Sequence, residues 1–457
     1  MTFRERFASY FRSKVYPASK TDNTIRMNEE VPWNHEQMAF WNDVQLRKDN
    51  QLDPLTNESW EQRLRYRLMM AEPTVKAAYI GKVGSVCSQE LRVNPPRYAA
   101  NNPYAKEIAD FVQHNLTGPS GTSYEPIWEI GSGYFGCRDA QGHFSPEHFV
   151  ENVRSPQVKM VEIKLSQGAK PGHGGVLPGP KVTEEIAEAR GVMVGQDCVS
   201  PATHSSFNTP LEMMTFIQQL RTLSEGKPVG FKLCIGHPWE WFAIVKAMLE
   251  TGIQPDFIVV DGAEGGTGAA PLEFSDHMGM PLQEALRLVH NTLVGAGLRD
   301  SIHVGASGKI VSAFDMARAL ALGADWCNSA RGFMFALGCI QAQTCHSGNC
   351  PTGVTTQDPT RQMALVVPSK AERVHNFHSH TLEALQELME ASGLKTPHDF
   401  TPRHIMRRVS ETQTLHLSEL VDTLEAGALL KDDLSALPAV YRDWHLASAT
   451  QFGFNPA

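Results

Sequence analysis

The chain has 457 residues, of which 42% are hydrophobic and 20% are charged, as is ordinary for a globular protein. Its net charge of −9 argues against a nucleic-acid-binding protein, because such proteins usually present a basic surface. No apolar run approaches the roughly 20 residues that a membrane-spanning helix needs. The eight cysteines form no dense framework and no secretory leader is recognisable, so we expect a reducing, cytoplasmic environment.

Short apolar runs alternate with helical patterns between residues 127 and 338. Candidate strands lie at 127–133, 158–165, 228–234, 256–262, 302–308 and 325–332. Candidate helices lie between some of them, at 210–223, 238–252 and 312–324. This alternation predicts parallel strands joined by right-handed crossovers.

The predicted fold class is α/β, with the chain wound as a (β/α)8 barrel. A doubly wound open sheet is the alternative, but residues suited to chemistry follow successive strands instead of one switch point. The first two strands of a barrel are not recognisable in residues 1–125. In that region we expect a helix at 60–73, and residues 74–83 are a candidate strand. We therefore predict a divergent N-terminal region (1–125), a barrel with a cysteine loop (126–365) and a helical C-terminal extension (366–457) that begins with a helix at 371–393.

Lysines interrupt two predicted buried strands. Lys164 and Lys232 are flanked by apolar residues, and Lys170 follows in a loop rich in proline and glycine. Because a buried ammonium is costly without an anion, two such lysines on neighbouring strands indicate a substrate or cofactor site. An ion pair with Glu129 or Glu162 is the alternative.

Glycines follow the predicted strands at two further points. After the strand at 302–308 and around the last predicted strand, the residues suited to a mononucleotide phosphate are Gly305, Ser307, Gly308, Gly323, Ala324 and Gly332. The segment 261–271, which contains Asp261, Gly265 and Gly266, has more glycine than a turn needs and suits close backbone approach to a flat ring. Ordinary turns and a flexible lid are the respective alternatives.

Three cysteines are clustered near the end of the predicted barrel. Cys339, Cys345 and Cys350 lie within twelve residues, and Pro351 follows directly. Several thiolates in a short loop ending in Cys-Pro are typical of iron–sulfur ligands, and three of them suit a cluster with three iron corners. Zinc would need a fourth ligand, for which His346 is available.

Four segments together resemble the FMN-binding domain of glutamate synthases, in particular its stand-alone members. They are "IKLSQGAKPGHGG", "DGAEGGTGAAPLE", "GASGKIVSAFDMARALALGADWCNSARG" and "GCIQAQTCHSGNCPTGVTTQ". The resemblance covers residues 126 to about 361 and, more loosely, the chain to about 408.

The resemblance implies a (β/α)8 barrel that carries FMN and a [3Fe–4S] cluster and reduces 2-iminoglutarate, formed from 2-oxoglutarate and ammonia, to L-glutamate. Cys339, Cys345 and Cys350 would be the cluster ligands, and Lys232 would lie against the flavin ring. The flavin and the dicarboxylate would be faced by Lys164, Gln167, Lys170 and Arg190, and the glycines named above would hold the cofactor. Ammonia would come from solution or an amidotransferase subunit, and electrons from a ferredoxin or a reductase.

The chain departs from the family pattern in its N-terminal region. The motifs that end the family's first two barrel strands do not occur in residues 1–125. Two alternatives follow: a subunit that makes N-methylglutamate from an amine, or a degenerate, non-catalytic paralogue with an incomplete barrel.

Overall fold

The computed structural model describes residues 127–155, 158–265, 270–271, 273–363 and 365–453. The helix and the strand predicted at 60–73 and 74–83 lie outside these residues. The chain divides into two compact units by its own contacts. Among the described residues, Arg331–Leu382 belong to the first unit and all others to the second.

The second unit is built around one parallel sheet. The strands of this unit are β1 (Ile127–Ile130), β2 (Met160–Lys164), β3 (Gly175–Leu177), β4 (Cys198–Ser200), β5 (Val229–Leu233), β6 (Phe257–Asp261), β7 (His303–Ser307), β8 (Trp326–Asn328), β9 (Met406–Arg408) and β10 (Thr414–His416). The parallel sheet has the order β1-β2-β5-β6-β7-β8, while β3–β4 and β9–β10 are separate antiparallel pairs.

The strand order confirms the predicted barrel type of winding. Each main strand pairs in parallel with the next main strand in the chain, without the reversal that marks a doubly wound sheet. The short β3–β4 pair lies between β2 and β5 in the chain and forms no part of the parallel sheet. Within the described ranges, β1 and β8 each have one neighbour in the sheet, so the chain shows six strands in barrel order there.

Helices connect the strands. They are α1 (Pro146–Val153), α2 (Glu184–Arg190), α3 (Pro210–Leu223), α4 (Pro238–Thr251), α5 (Leu282–Gly295), α6 (Ala313–Ala321), α7 (Arg331–Ala336), α8 (Pro359–Gln362), α9 (Val367–Ala391) and α10 (Ala439–Arg442). Several begin at sequence signals: Thr209 and Ser312 cap α3 and α6 through capping boxes, and proline fills the first turn of α3 and α4. The bounds agree with the predicted helices to within four residues.

The predicted strands are confirmed, but the first and the last are shorter than predicted, since β1 ends at Ile130. The strand predicted at 325–332 ends at Asn328, because the chain enters α7 at Arg331. Every residue of β6 is buried, as expected for a parallel strand covered on both faces. The last part of the chain packs on this unit, where Arg287 of α5 donates to the carbonyl of Asp422 at 2.6 Å. No helix among the described residues is both long and apolar enough to cross a membrane.

A partly buried histidine, His290, lies beside the amino ends of β7 and β8. The Arg299 guanidinium donates through Nε to Nδ1 of His290 at 3.2 Å and through Nη2 to Asp325 at 2.9 Å. Burial, together with the cations of Arg287 and Arg299, lowers the pKa of His290 to about 4. His290 is therefore neutral at pH 7 and acts as a hydrogen-bond acceptor.

This histidine predicts a loss of stability in mild acid. Its folded pKa lies below the unfolded value near 6.5, so its contribution is complete above pH 6.5 and is lost as the pH falls towards 4. The contribution amounts to about 3 kcal/mol, because a tenfold change in proton affinity corresponds to about 1.4 kcal/mol. Denaturant unfolding across this range should show a shallower pH dependence for His290→Gln than for the wild type.

The exposed His445→Gln variant is the control for this measurement and should keep the wild-type pH dependence. Equal slopes for the wild type and His290→Gln would contradict the assignment.

Candidate functional site

One buried carboxylate joins the two predicted strand lysines. Glu129 of β1 accepts from Nζ of Lys164 at 3.1 Å and contacts Nζ of Lys232 with its other oxygen. Glu162 of β2 lies 3.6 Å from Lys232. The strand register explains the cluster, since Glu129 pairs with Glu162 and Lys164 with Lys232 in neighbouring parallel strands. The ion pairs named as the alternative are therefore present, and a substrate or cofactor role for these lysines stays a prediction.

The charges in this cluster compensate one another. The Glu129 side chain is only 2% exposed, and those of Lys164 and Lys232 are 17% and 15% exposed. Burial alone would lower the pKa of Lys232, but the carboxylates of Glu129, Glu162 and Asp261 outweigh it and hold that pKa above its ordinary value. Lys232 is thus a fixed cation at the carboxyl end of β5.

The loop after β2 brings a third lysine to the same edge of the sheet. Lys170 donates to the carbonyl of Gly174 at 3.0 Å. Burial, and to a smaller extent the positive charge of Lys164, lower the pKa of Lys170. Gln167 lies in the same loop and is partly buried. Three cations therefore meet at the carboxyl edge, where an anionic ligand would find them.

Asp261 ties three loops together at this edge. Its carboxylate accepts from the Gly168 amide at 2.8 Å and from the Ser307 side chain, so the loops after β2, β6 and β7 meet here. Burial raises the pKa of Asp261, although Lys232 and these hydrogen bonds oppose the shift.

Glycine is required where these loops touch. A Cβ on Gly168 would lie 1.9 Å from the Gly262 carbonyl oxygen, and one on Gly265 would lie 2.8 Å from Cα of Gly308. Gly308 itself has a φ of +138°. The high glycine content thus allows backbone-to-backbone packing around Asp261. Gly266 lies outside the described residues.

The structure separates the predicted phosphate residues. Ser307 ends β7 and Gly308 follows it at the carboxyl edge of the sheet, but Gly323 and Ala324 precede β8 and lie at the amino edge. Gly323 makes room for His290, whose ring would be 2.2 Å from an added Cβ. Gly305 lies within β7 against the Trp326 ring, 2.5 Å from its would-be Cβ. Gly305 and Gly323 are thus closely packed, and of these residues Ser307 and Gly308 lie at the carboxyl edge.

Two further residues predicted for the site, Gly332 and Arg190, lie in helices and not in the loops around Asp261. Gly332 is part of α7, in the first unit. Arg190 ends α2, where its guanidinium lies 4.8 Å from the Phe135 ring centre and donates to Sγ of Cys198 at 3.7 Å. Arg190 therefore packs against the small apolar cluster beside the β3–β4 pair, which includes Cys198 and Phe135.

A buried histidine, His204, holds the end of β2. His204 Nε2 lies 2.9 Å from the carbonyl of Lys164, and its Nδ1 lies 3.2 Å from the Tyr134 hydroxyl. Because a carbonyl can only accept, Nε2 carries the proton and Nδ1 accepts from Tyr134. Burial lowers the pKa of His204, in agreement with a neutral ring. The sequence offered no spacing signal for this contact, because 40 residues separate His204 from Lys164.

The three clustered cysteines line a single pocket in the first unit. The pocket holds about 230 Å³, part of it open to solvent. It is lined by Cys339, Ile340, Ala342, Gln343, Thr344, Cys345, Cys350, Thr352, Val354 and Thr355. His346 is not among the lining residues, and within the described ranges no group of three His, Cys, Asp or Glu side chains is arranged to hold a metal ion.

The thiols of this pocket differ in their surroundings. Burial raises the pKa of Cys339 to about 11. At Cys350 burial acts in the same direction, but hydrogen bonds from Thr352 and Thr355 outweigh it and lower the pKa of the thiol. Gln341 and Gln343 have φ values of 58° and 56°, a left-handed backbone that costs a non-glycine residue on the order of 1 kcal/mol. The loop backbone is therefore strained at these two residues, and its three thiols line the same pocket.

Curated relatives resemble this chain over about half of their own length. The glutamate synthase large subunit-like protein YerD of Bacillus subtilis (strain 168) is 43% identical over 65% of this chain and 56% of its own. The archaeal-type glutamate synthase [NADPH] of Thermotoga neapolitana is 38% identical over 51% of this chain and 46% of its own. The archaeal glutamate synthase [NADPH] of Methanocaldococcus jannaschii is 35% identical, with shares of 59% and 50%.

Among solved structures, a mutant flavocytochrome b2 with pyruvate bound aligns with 70% of this chain and 66% of its own, at 15% identity and a TM-score of 0.37. A family described as "Conserved region in glutamate synthase" matches residues 104–395, which is well over half of the chain. This match includes the lysine cluster, the Asp261 junction and the cysteine pocket, and the chain belongs to the glutamate synthase family.

Proposed function

We propose that the chain is a flavin and iron–sulfur oxidoreductase of glutamate-synthase type, which reduces 2-iminoglutarate, formed from 2-oxoglutarate and ammonia, to L-glutamate. The observation that carries this proposal is the meeting of Lys164, Lys170 and Lys232 at the carboxyl edge of a barrel-type sheet. A dicarboxylate and a flavin are both anionic partners for such cations. Family membership supports the reaction type.

The residues present fit FMN at this edge. When bound, FMN would supply hydride transfer. Lys232, a cation buried among carboxylates, would lie against the flavin ring, and Ser307 with Gly308 would meet the phosphate. Asp261 would hold the loops after β2, β6 and β7 in place around the ring, with Gly265 on the cofactor side.

The substrate would be held by the loop after β2. Lys164 and Lys170 offer ammonium groups to its two carboxylates, and Gln167 lies between them in the chain. Lys164 is oriented by Glu129, while Lys170 is held by the carbonyl of Gly174. Because Lys170 is bound to a single neutral oxygen in these contacts, it is the better placed of the two to exchange that contact for a substrate carboxylate.

The cysteine pocket supports a [3Fe–4S] cluster as the second cofactor. Cys339, Cys345 and Cys350 line one space, and Cys350 is held in surroundings that favour its thiolate. Each thiolate of such a cluster binds a different iron, so the three sulfurs need not converge as ligands of one ion do. The cluster would pass electrons from a ferredoxin or a reductase, and ammonia would come from solution or an amidotransferase subunit.

Purification under anaerobic conditions tests the cofactors directly. We expect a coloured protein with a flavin spectrum above broad iron–sulfur absorption, and equal amounts of FMN and chain. A colourless protein with neither cofactor would contradict the proposal and favour a non-catalytic paralogue. Turnover of 2-oxoglutarate with ammonia, compared with methylamine, then tests the reaction; a preference for methylamine would indicate N-methylglutamate synthesis.

Substitution of Lys170 tests the substrate site. Lys170→Met removes one charge-assisted hydrogen bond, worth about 2 kcal/mol, so the KM for 2-oxoglutarate should rise at least about tenfold. The flavin content should stay unchanged, because Lys232 and the Asp261 junction remain. Steady-state kinetics with matched flavin loading checks this.

The control is Lys431→Met, which removes an exposed lysine of the C-terminal segment. An unchanged KM in Lys170→Met, or an equal rise in the control, would rule out this role for Lys170.

A further inference from the structure

The sulfur of Cys350 lies beside the side-chain hydroxyl of Thr352. The Thr352 hydroxyl oxygen lies 3.5 Å from Cys350 Sγ, and both residues are buried. The chain turns at this point, since the Gly353 amide donates to the Cys350 carbonyl at 3.1 Å. This turn folds residues 352–355 back over the sulfur.

A charged side chain steadies the same turn. Arg361 donates through Nη1 to the carbonyls of Asn349 and Cys350, at 3.3 and 3.4 Å. Asp358 in turn pairs with Arg361 at 3.3 Å. Arg361 thus holds the backbone at Asn349 and Cys350 in place. The hydroxyl of Thr352 is thereby kept within reach of the Cys350 sulfur.

We propose that Thr352 is a positioning residue that donates a hydrogen bond to the Cys350 sulfur and thereby raises the reduction potential of the iron–sulfur cluster. The inference rests on the cluster of the proposed function. As an iron ligand the sulfur would be a thiolate, which only accepts, so the hydroxyl must be the donor. Reduction adds negative charge that spreads onto the ligand sulfurs, and a donor there favours the reduced state.

The thiol of Cys339 offers an internal contrast. Its donor is the backbone amide of Gln341, which no side-chain substitution removes. At Cys350 the donors include the Thr352 hydroxyl, which can be deleted with little change of shape by Thr352→Val and retained by Thr352→Ser, while the donors from Thr355 and from the backbone stay in place. The effect of the hydrogen bond can therefore be separated from the effect of packing.

The test is a redox titration of the full-length, anaerobically purified protein, followed by the EPR signal of the cluster, with iron and sulfide content measured in parallel. Thr352→Val should shift the midpoint potential to more negative values, while Thr352→Ser stays near the wild type. Thr381→Val is the matched control, because the Thr381 hydroxyl is also buried in the first unit but donates to the Phe377 carbonyl at 2.6 Å. Its potential should equal that of the wild type.

Loss of the cluster from Thr352→Val alone, with Thr352→Ser still loaded, would also support a role for the hydroxyl. Equal potentials in all variants, or the same shift or cluster loss in Thr352→Val and Thr352→Ser, would overturn the inference and leave the proposed function intact. A wild-type protein without iron and sulfide would instead overturn the proposed cluster, and this inference with it.

Discussion

The contact of the Glu129 carboxylate with the ammonium groups of Lys164 and Lys232 is the interaction on which the site depends. Two ammonium groups in strands of a covered sheet would be strongly unfavourable without a counter-charge. Glu129 lies between them and is almost fully buried. The register of β1, β2 and β5 sets this arrangement, because neighbouring parallel strands place two glutamates and two lysines side by side. The sheet and the site are thus stabilised by the same charges.

Much of the fold was predictable because its determinants are local in the chain. Short, mostly apolar runs of four to five residues specify β1, β2, β5, β6 and β7. Capping residues such as Thr209 and Ser312 set the starts of helices. The order of strand and helix then predicts parallel pairing in sequence. The lysines of β2 and β5 were also recognisable, since a charge inside an apolar strand stands out against its neighbours.

Other features depend on contacts that a local pattern does not contain. A glycine serves equally at either edge of a sheet, so the sequence did not distinguish Gly308, after β7, from Gly323, which makes room for His290 before β8. Arg190 packs on Phe135, far away in the chain, and no spacing rule announces that contact. The β3–β4 pair was missed because its facing residues Val176 and Val199 are exposed, so it lacks the alternation of a half-buried strand.

The close approach of Gly168 to Gly262 restricts how this protein can evolve. Any side chain at position 168 would begin 1.9 Å from a main-chain oxygen of the neighbouring loop, and the amide of Gly168 is the one that Asp261 binds. Position 168 is therefore closed to variation, although it lies between two residues that face the proposed substrate. If the loop holds the substrate as proposed, changes of acid specificity fall to its side-chain-bearing positions, such as 167 and 170, while the backbone at position 168 stays fixed.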